Sequence, residues 1–202
     1  MKLLTSILNH VVSYPIGQVI VGSLLAPDKA LCFRLLWMAR KDQRARQAFL
    51  EGKRFDERID ERHTRVMKSV VARHGWPGDK LVGIMGAQAV WLLVQHANPD
   101  RAFQKQCLPL LEAAVKKKEA EAQHLAYLTD RVCVGEGVPQ IYGTQLEYPI
   151  DDQEHVDERR ASVGLSSLAE YLERSRPALE QFKKGSGDNL HLPSNPSRDS
   201  DR

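Results

Sequence analysis

Residues 83–97 read GIMGAQAVWLLVQHA, and wound as an α-helix this stretch is apolar on nearly every side. A helix without a polar face belongs in the middle of a fold. It nevertheless carries Gln88, Gln95 and His96, and polar groups placed in a core must find partners. A central helix that ends on Gln95-His96 therefore predicts a polar cluster or pocket inside a helical domain. Just upstream, His74-Gly75-Trp76-Pro77 marks the sharp end of a preceding helix, because Gly caps it and Pro cannot continue it.

Working outward, Pro27-Asp28 opens a helix that runs to about Gly52. Leu31, Leu35, Met38, Asp42, Ala45 and Phe49 fall on one face by the 3.6-residue period. Asp42 thus interrupts an apolar stripe, with Arg46 one turn further on. Two readings follow: an ion pair at the edge of the face, or a carboxylate turned inward toward the polar cluster. A helix over about 57–74 has the stripe Ile59, His63, Val66, Met67 and Val70, which puts His63 at the core side or its margin. A fourth helix, from Pro99-Asp100 to about Lys118, buries Phe103, Cys107, Leu110, Leu111, Ala114 and Val115 and contains Pro109.

A fifth helix, over about 119–134, divides into two faces. Leu125, Leu128 and Val132 form one, while His124, Tyr127, Asp130 and Arg131 gather within an arc of about 120° on the other. That second face is either solvated or the lining of a cleft. The helical period then stops. VPQIYGTQLEYP, residues 138–149, reads as an extended loop or a short hairpin with Tyr142-Gly143-Thr144-Gln145 as its turn. Asp151-Asp152 offers caps for a short charged helix to about Ala161, and Ser167 to Glu170 fits a capping box before a last helix to about Phe182. From Gly185 onward the composition predicts disorder. The expected architecture is a mainly α, single-domain helical bundle: an apolar docking segment over 1–26, a helical domain over 27–183 and a tail over 184–202.

Bulk properties exclude some classes. The 202 residues are 42% hydrophobic and 27% charged, with a formal net charge of +3, an ordinary balance for a globular protein. No nucleic acid is expected as partner, since the basic bias is weak. The Lys116-Lys117-Lys118 run falls at a helix end, where it complements the dipole. Cys32, Cys107 and Cys133 have neither disulfide-scaffold nor zinc spacing. They read as buried thiols in a reducing compartment, hence a cytoplasmic protein. The apolar amino terminus is interrupted at Asn9, His10, Ser13, Tyr14 and Pro15, and neither half is long enough to span a bilayer. It is expected to dock on the domain or on a protein partner, with membrane contact through 1–26 as the less favoured alternative.

RHGWPGDKLVGIMGAQAVWLLVQHA, LAYLTDRVCVGEGVPQIYGTQ and PIDDQEHVDERRASVGLSSLAEY occur in this order. With Asp42-Gln43 and Arg46, they make the chain from about residue 29 to 170 resemble the bacterial proteins grouped as domain of unknown function 6624. The resemblance implies that these motifs belong to one domain. It implies no reaction and no catalytic residue.

The chain has no P-loop, no GxSxG elbow and no HExxH motif. Gly83 and Gly86 lack the preceding strand of a dinucleotide site and read as close helix packing. No cofactor is expected. The candidate constellation is Asp42, Arg46, His63, Gln95, His96, Tyr127, Asp130, Arg131, Gln140, Tyr142 and Gln145. In an enzyme, His96 acts as acid or base, Asp130 orients it, and Arg131 or Arg46 holds a small anionic ligand. A metal version would draw on His63, His96 and Asp130, which come from different helices, and no metal is assigned. Two other readings stand beside it. In one, the same groups bind an anionic ligand or a peptide without transforming it. In the other, the network ties the long loop to the bundle.

Overall fold

A computed structural model of the protein describes residues 16–56 and 58–186. Among these residues there are eight α-helices and no strand: α1 (Ile16–Leu24), α2 (Lys29–Leu50), α3 (Arg58–His74), α4 (Asp79–Gln95), α5 (Arg101–Lys116), α6 (Ala122–Gly135), α7 (Val156–Ser162) and α8 (Leu168–Ser186). The fold is a mainly α, single-domain bundle. The loop between α6 and α7 contains one isolated parallel bridge, Gln140 to Ile150, and no hairpin. Residues 1–15, most of the expected docking segment, and residues 187–202, most of the expected tail, lie outside the described residues.

α4 is the central element, as its apolar girth predicts. It packs against α1, α2, α3, α5 and α6, and the run from Ala89 to Gln95 is buried without interruption. It begins one turn earlier than expected, at Asp79, and breaks its helical backbone at Gly83. Gly86 does serve close packing: a Cβ there would come 2.7 Å from Val82 Cβ and 3.2 Å from Cys32 Sγ of α2. Leu35, Met67, Leu93, Leu111 and Leu128 meet in one core and are essentially inaccessible. Each such side chain stabilises the fold by about 1.5–3 kcal/mol. The caps are local: Asp28 accepts from the Leu31 amide and Asp100 from the Phe103 amide, each at 2.9 Å. Cys32, Cys107 and Cys133 are free thiols, and burial pushes Cys107 up to about 12.

One expectation needs correction. α3 is rotated relative to its apolar stripe: Asp60, Thr64, Met67 and Val70 are its buried residues. Ile59 and His63 instead line a groove between α2 and α3 with Phe33 and Trp37. The rotation is stabilised by Asp60, which points inward and meets Arg46 at 2.8 Å. α6 packs against α5 and α4, and of the two readings of its polar face the structure bears out the cleft for Tyr127 and Arg131, while Asp130 is wholly buried.

Candidate functional site

The helical periods of α2, α4 and α6 bring their polar anomalies to one open cleft of ≈ 470 Å³. Arg46 from α2, Gln95 and His96 from the end of α4, and Tyr127 and Arg131 from α6 all line it, with Gln145 from the loop. Six of the eleven candidate residues thus share one cavity. Asp42 lies behind it, bonded to His96. The other four, His63, Asp130, Gln140 and Tyr142, do not line it.

Asp42 has no accessible surface and is held from three sides. Its Oδ2 lies 2.7 Å from His96 Nδ1 and accepts from Gln43 Nε2 at 2.8 Å, while Arg46 reaches both carboxylate oxygens. Burial pushes this acid up. The charges and hydrogen bonds of His96 and Arg46 outweigh burial and hold it well below the usual carboxylate range. Asp42 is therefore the inward carboxylate rather than an edge partner. Arg46 also donates to both oxygens of Asp60, at 2.8 and 3.0 Å. Asp60 is raised by burial against the pull of Arg46.

Arg46 Nε lies 3.0 Å from His96 Nδ1 and 3.3 Å from Asp42 Oδ2, and its single N–H is given to the carboxylate when Nδ1 carries a proton. Were Nδ1 bare, its lone pair would face an ionised oxygen at 2.7 Å, which is repulsive. The proton therefore belongs on Nδ1, donating to Asp42, and Nε2 keeps its lone pair. Burial lowers the His96 pKa, opposed by the Asp42 charge. A neutral imidazole, aligned by a carboxylate and lining a cleft, is equipped to take a proton. The carboxylate that orients His96 is Asp42, not Asp130.

Asp130 does something different. Its Oδ1 accepts from the amides of Ile141 and Tyr142, and its Oδ2 from the amide and hydroxyl of Thr144, all at 2.8–2.9 Å. It is the anchor on which residues 141–144 are wound. Gln140 folds the same loop on itself, donating to the carbonyls of Gln145 and Tyr148 and accepting from the Gln145 amide. The Tyr142 carbonyl is held by Arg160, and that of Thr144 by the Tyr171 hydroxyl. Asp130, Gln140 and Tyr142 thus tie the loop to the bundle. Asp60, Gln43, Arg160 and Tyr171 belong to these networks and are missing from the sequence-derived constellation. Gln43, Arg160 and Tyr171 do fall within the stretches that carry the family resemblance.

The cleft wall is aromatic and aliphatic. Trp91 stacks on His124 at 4.2 Å and meets Tyr127 edge-on at 5.8 Å. Phe49, Leu50, Leu92 and Leu146 continue the apolar lining. Three buried polar atoms among the lining residues lack a hydrogen-bond partner, Gln43 Oε1, Gln95 Nε2 and Ser175 Oγ. Arg131 bonds only to amide oxygens, Gln95 Oε1 at 2.8 Å and Asn98 Oδ1 at 3.1 Å, and among the described residues no carboxylate pairs with it. Burial, and then the charge of Arg46, lower it to about 10, so it is a cation at neutral pH.

Among the described residues no group of three or more His, Cys, Asp or Glu side chains is placed to hold a metal, and His63 lines a different groove from His96. The sequence profile of a family of unknown function, DUF6624, matches residues 30–180. The chain belongs to that family. The DUF6624 span takes in α2 to α7, most of α8 and every residue lining the cleft. Among curated proteins and solved structures nothing matches the chain.

Proposed function

We propose that the cleft binds a small anionic molecule with an apolar body, and that His96, aligned by Asp42, exchanges a proton with it. The observation that carries this reading is Arg131. A largely buried cation whose partners are two neutral amides is electrostatically incomplete, and it shares the cleft with a second guanidinium, Arg46. A carboxylate or phosphate seated there supplies the counter-charge that Arg131 lacks and accepts charge-assisted hydrogen bonds. Gln95 Nε2 supplies a further donor and Gln43 Oε1 an acceptor, both already desolvated. The walls formed by Trp91, Phe49 and Leu92 suit an apolar or aromatic body.

In this reading the roles divide by chemistry. Arg131 anchors the anion. His96 Nε2 is the general base, and the same nitrogen returns the proton as general acid. Asp42 fixes the tautomer and stabilises the imidazolium when it forms. Arg46, neutralised by Asp42 and Asp60, holds that carboxylate pair in place. The loop over 140–146 shapes one wall.

The test is thermal melting across a panel of carboxylates and phosphate monoesters with apolar or aromatic bodies, on the parent protein and on Arg131→Met. At a hundredfold excess over Kd a bound ligand stabilises by about 2.7 kcal/mol. The expected result is a raised Tm in the parent for a subset of anions and none in the variant. A panel with no response, or equal responses in both proteins, rejects the anion site. A ligand that binds both the parent and His96→Gln, and is transformed by neither, rejects the catalytic half alone.

A further inference from the structure

The side of α2 that turns away from the cleft carries a second surface of a different kind. By the 100° helical step, Lys29, Phe33, Arg34, Trp37, Lys41 and Arg44 fall within an arc of about 140°, and all six are exposed. The only acidic residue of α2 is Asp42, which is buried on the other side. Among the described residues none of Lys29, Arg34, Lys41 and Arg44 forms an ion pair with a carboxylate. Phe33 and Trp37 stack at 6.2 Å, and the Lys41 ammonium lies 5.8 Å from the Trp37 ring. The result is an aromatic pair surrounded by cations.

α1 packs against α2 and leads into its first turn. It contains no charged residue. It buries Val19 and Ser23 and leaves Val21 and Leu24 exposed, and Leu25 just after it is 82% exposed. Leu25 is four residues from Lys29, which limits their separation to about 14 Å. Exposed aliphatic tips at the start of a helix that carries a Trp/Phe pair and a set of unopposed cations are the components of an interfacial anchor. The aliphatics enter the acyl boundary, the aromatic rings sit at headgroup depth, and the cations meet anionic lipid.

We infer that α1 and the outer face of α2 dock this protein on the surface of an anionic bilayer. Charge complementarity favours that occupant. A second copy of the chain would oppose cations to cations, and a nucleic acid offers no layer for Leu24 and Leu25. The attachment is to the surface: no described helix is long and apolar enough to cross a membrane. The face lies on the opposite side of α2 from Gln43, Arg46 and Leu50, so docking leaves the cleft open to solvent. The inference is independent of what the cleft binds.

The test is co-sedimentation of the full chain with vesicles of phosphatidylglycerol and phosphatidylcholine, against vesicles of phosphatidylcholine alone. Binding is expected on the anionic vesicles only, weakening as salt rises. Lys41→Ala with Arg44→Ala is expected to lower partitioning by roughly 25-fold, at about fivefold per cation. Leu24→Ser with Leu25→Ser supplies an independent second arm and is also expected to lower it. All four positions are exposed, so both double variants should melt with the parent. Absence of binding, equal binding to neutral vesicles, or undiminished binding by both variants overturns the inference. So does equally tight binding to soluble polyglutamate, which would indicate an acidic protein partner. A concentration-dependent dimer lost in the same variants would indicate a second copy and overturn it too.

Discussion

His96 Nδ1 and Asp42 Oδ2 stand 2.7 Å apart although 54 positions separate them in the chain. The contact joins the end of the central helix to the middle of α2, and Arg46 closes it from the solvent side. Asp42→Asn keeps the shape and removes the charge. Breaking a buried ionic network from one side costs about 3 kcal/mol or more, and denaturant unfolding at neutral pH should show that loss. The folded-state pKa of Asp42 is depressed. Its contribution is therefore complete above the unfolded value near 4 and is lost as pH falls through the lower folded value. Below about pH 4 the parent should lose stability more steeply than the variant. Parallel profiles would show that the carboxylate is not ionised in the fold.

A second pH dependence comes from His124. Burial lowers it to about 4. Between 6.5 and 4 the unfolded chain takes up a proton that the folded chain refuses, so stability falls as pH falls through that window. The loss approaches about 3 kcal/mol at the acid end. His124→Phe keeps a ring against Trp91 and removes the proton. Its Tm is expected to match the parent near pH 8 and exceed it increasingly toward pH 4.5, as read by calorimetry. A constant offset across the range would rule out this source.

Asp130→Asn places an amide where four donors converge on a carboxylate. The amide can accept on one side only, and its NH2 group faces donors. Destabilisation of about 2–5 kcal/mol is expected. Hydrogen exchange should show faster exchange at the amides of Ile141, Tyr142 and Thr144, with little change in α4. Unchanged protection there would mean that the loop is held by other contacts.

Gly143→Ala tests the same loop sterically. Gly143 has a φ of 67°, and a Cβ there would approach Ile150 Cδ1 to 2.8 Å and Leu168 Cδ1 to 2.9 Å. Backbone strain and overpacking together should cost about 1–3 kcal/mol. Thermal melting reads the cost directly, and an unshifted Tm would contradict the packing of the loop on α8.

The central helix was legible, and Asp42 stood out while its direction stayed open, because each is an anomaly against a strong pattern. α4 is apolar where a surface helix would not be, and Asp42 interrupts an apolar stripe. Asp60 was not legible. A buried carboxylate counts as polar in any periodicity, so it pulled the apparent face of α3 toward Ile59 and His63. Asp130 was recognised as important and paired with the wrong partner. Its true partners are backbone amides, which carry no residue identity in the sequence. Arg160 was hidden in the same way: in Val-Asp-Glu-Arg-Arg it reads as part of a solvated charge run. Yet it is buried, with its guanidinium over the Tyr171 ring and bonded to the carbonyls of Tyr142 and Ser166.

Gln104 of α5 donates its side-chain amide to the carbonyls of Val94 and Gln95, at 3.1 and 3.0 Å. Those carbonyls belong to the last turn of α4, where an isolated helix would fray. His96 is the next residue. Its imidazole is thus carried by a helix terminus immobilised from the neighbouring helix, and the entropy of aligning it is spent during folding rather than at each encounter with a ligand.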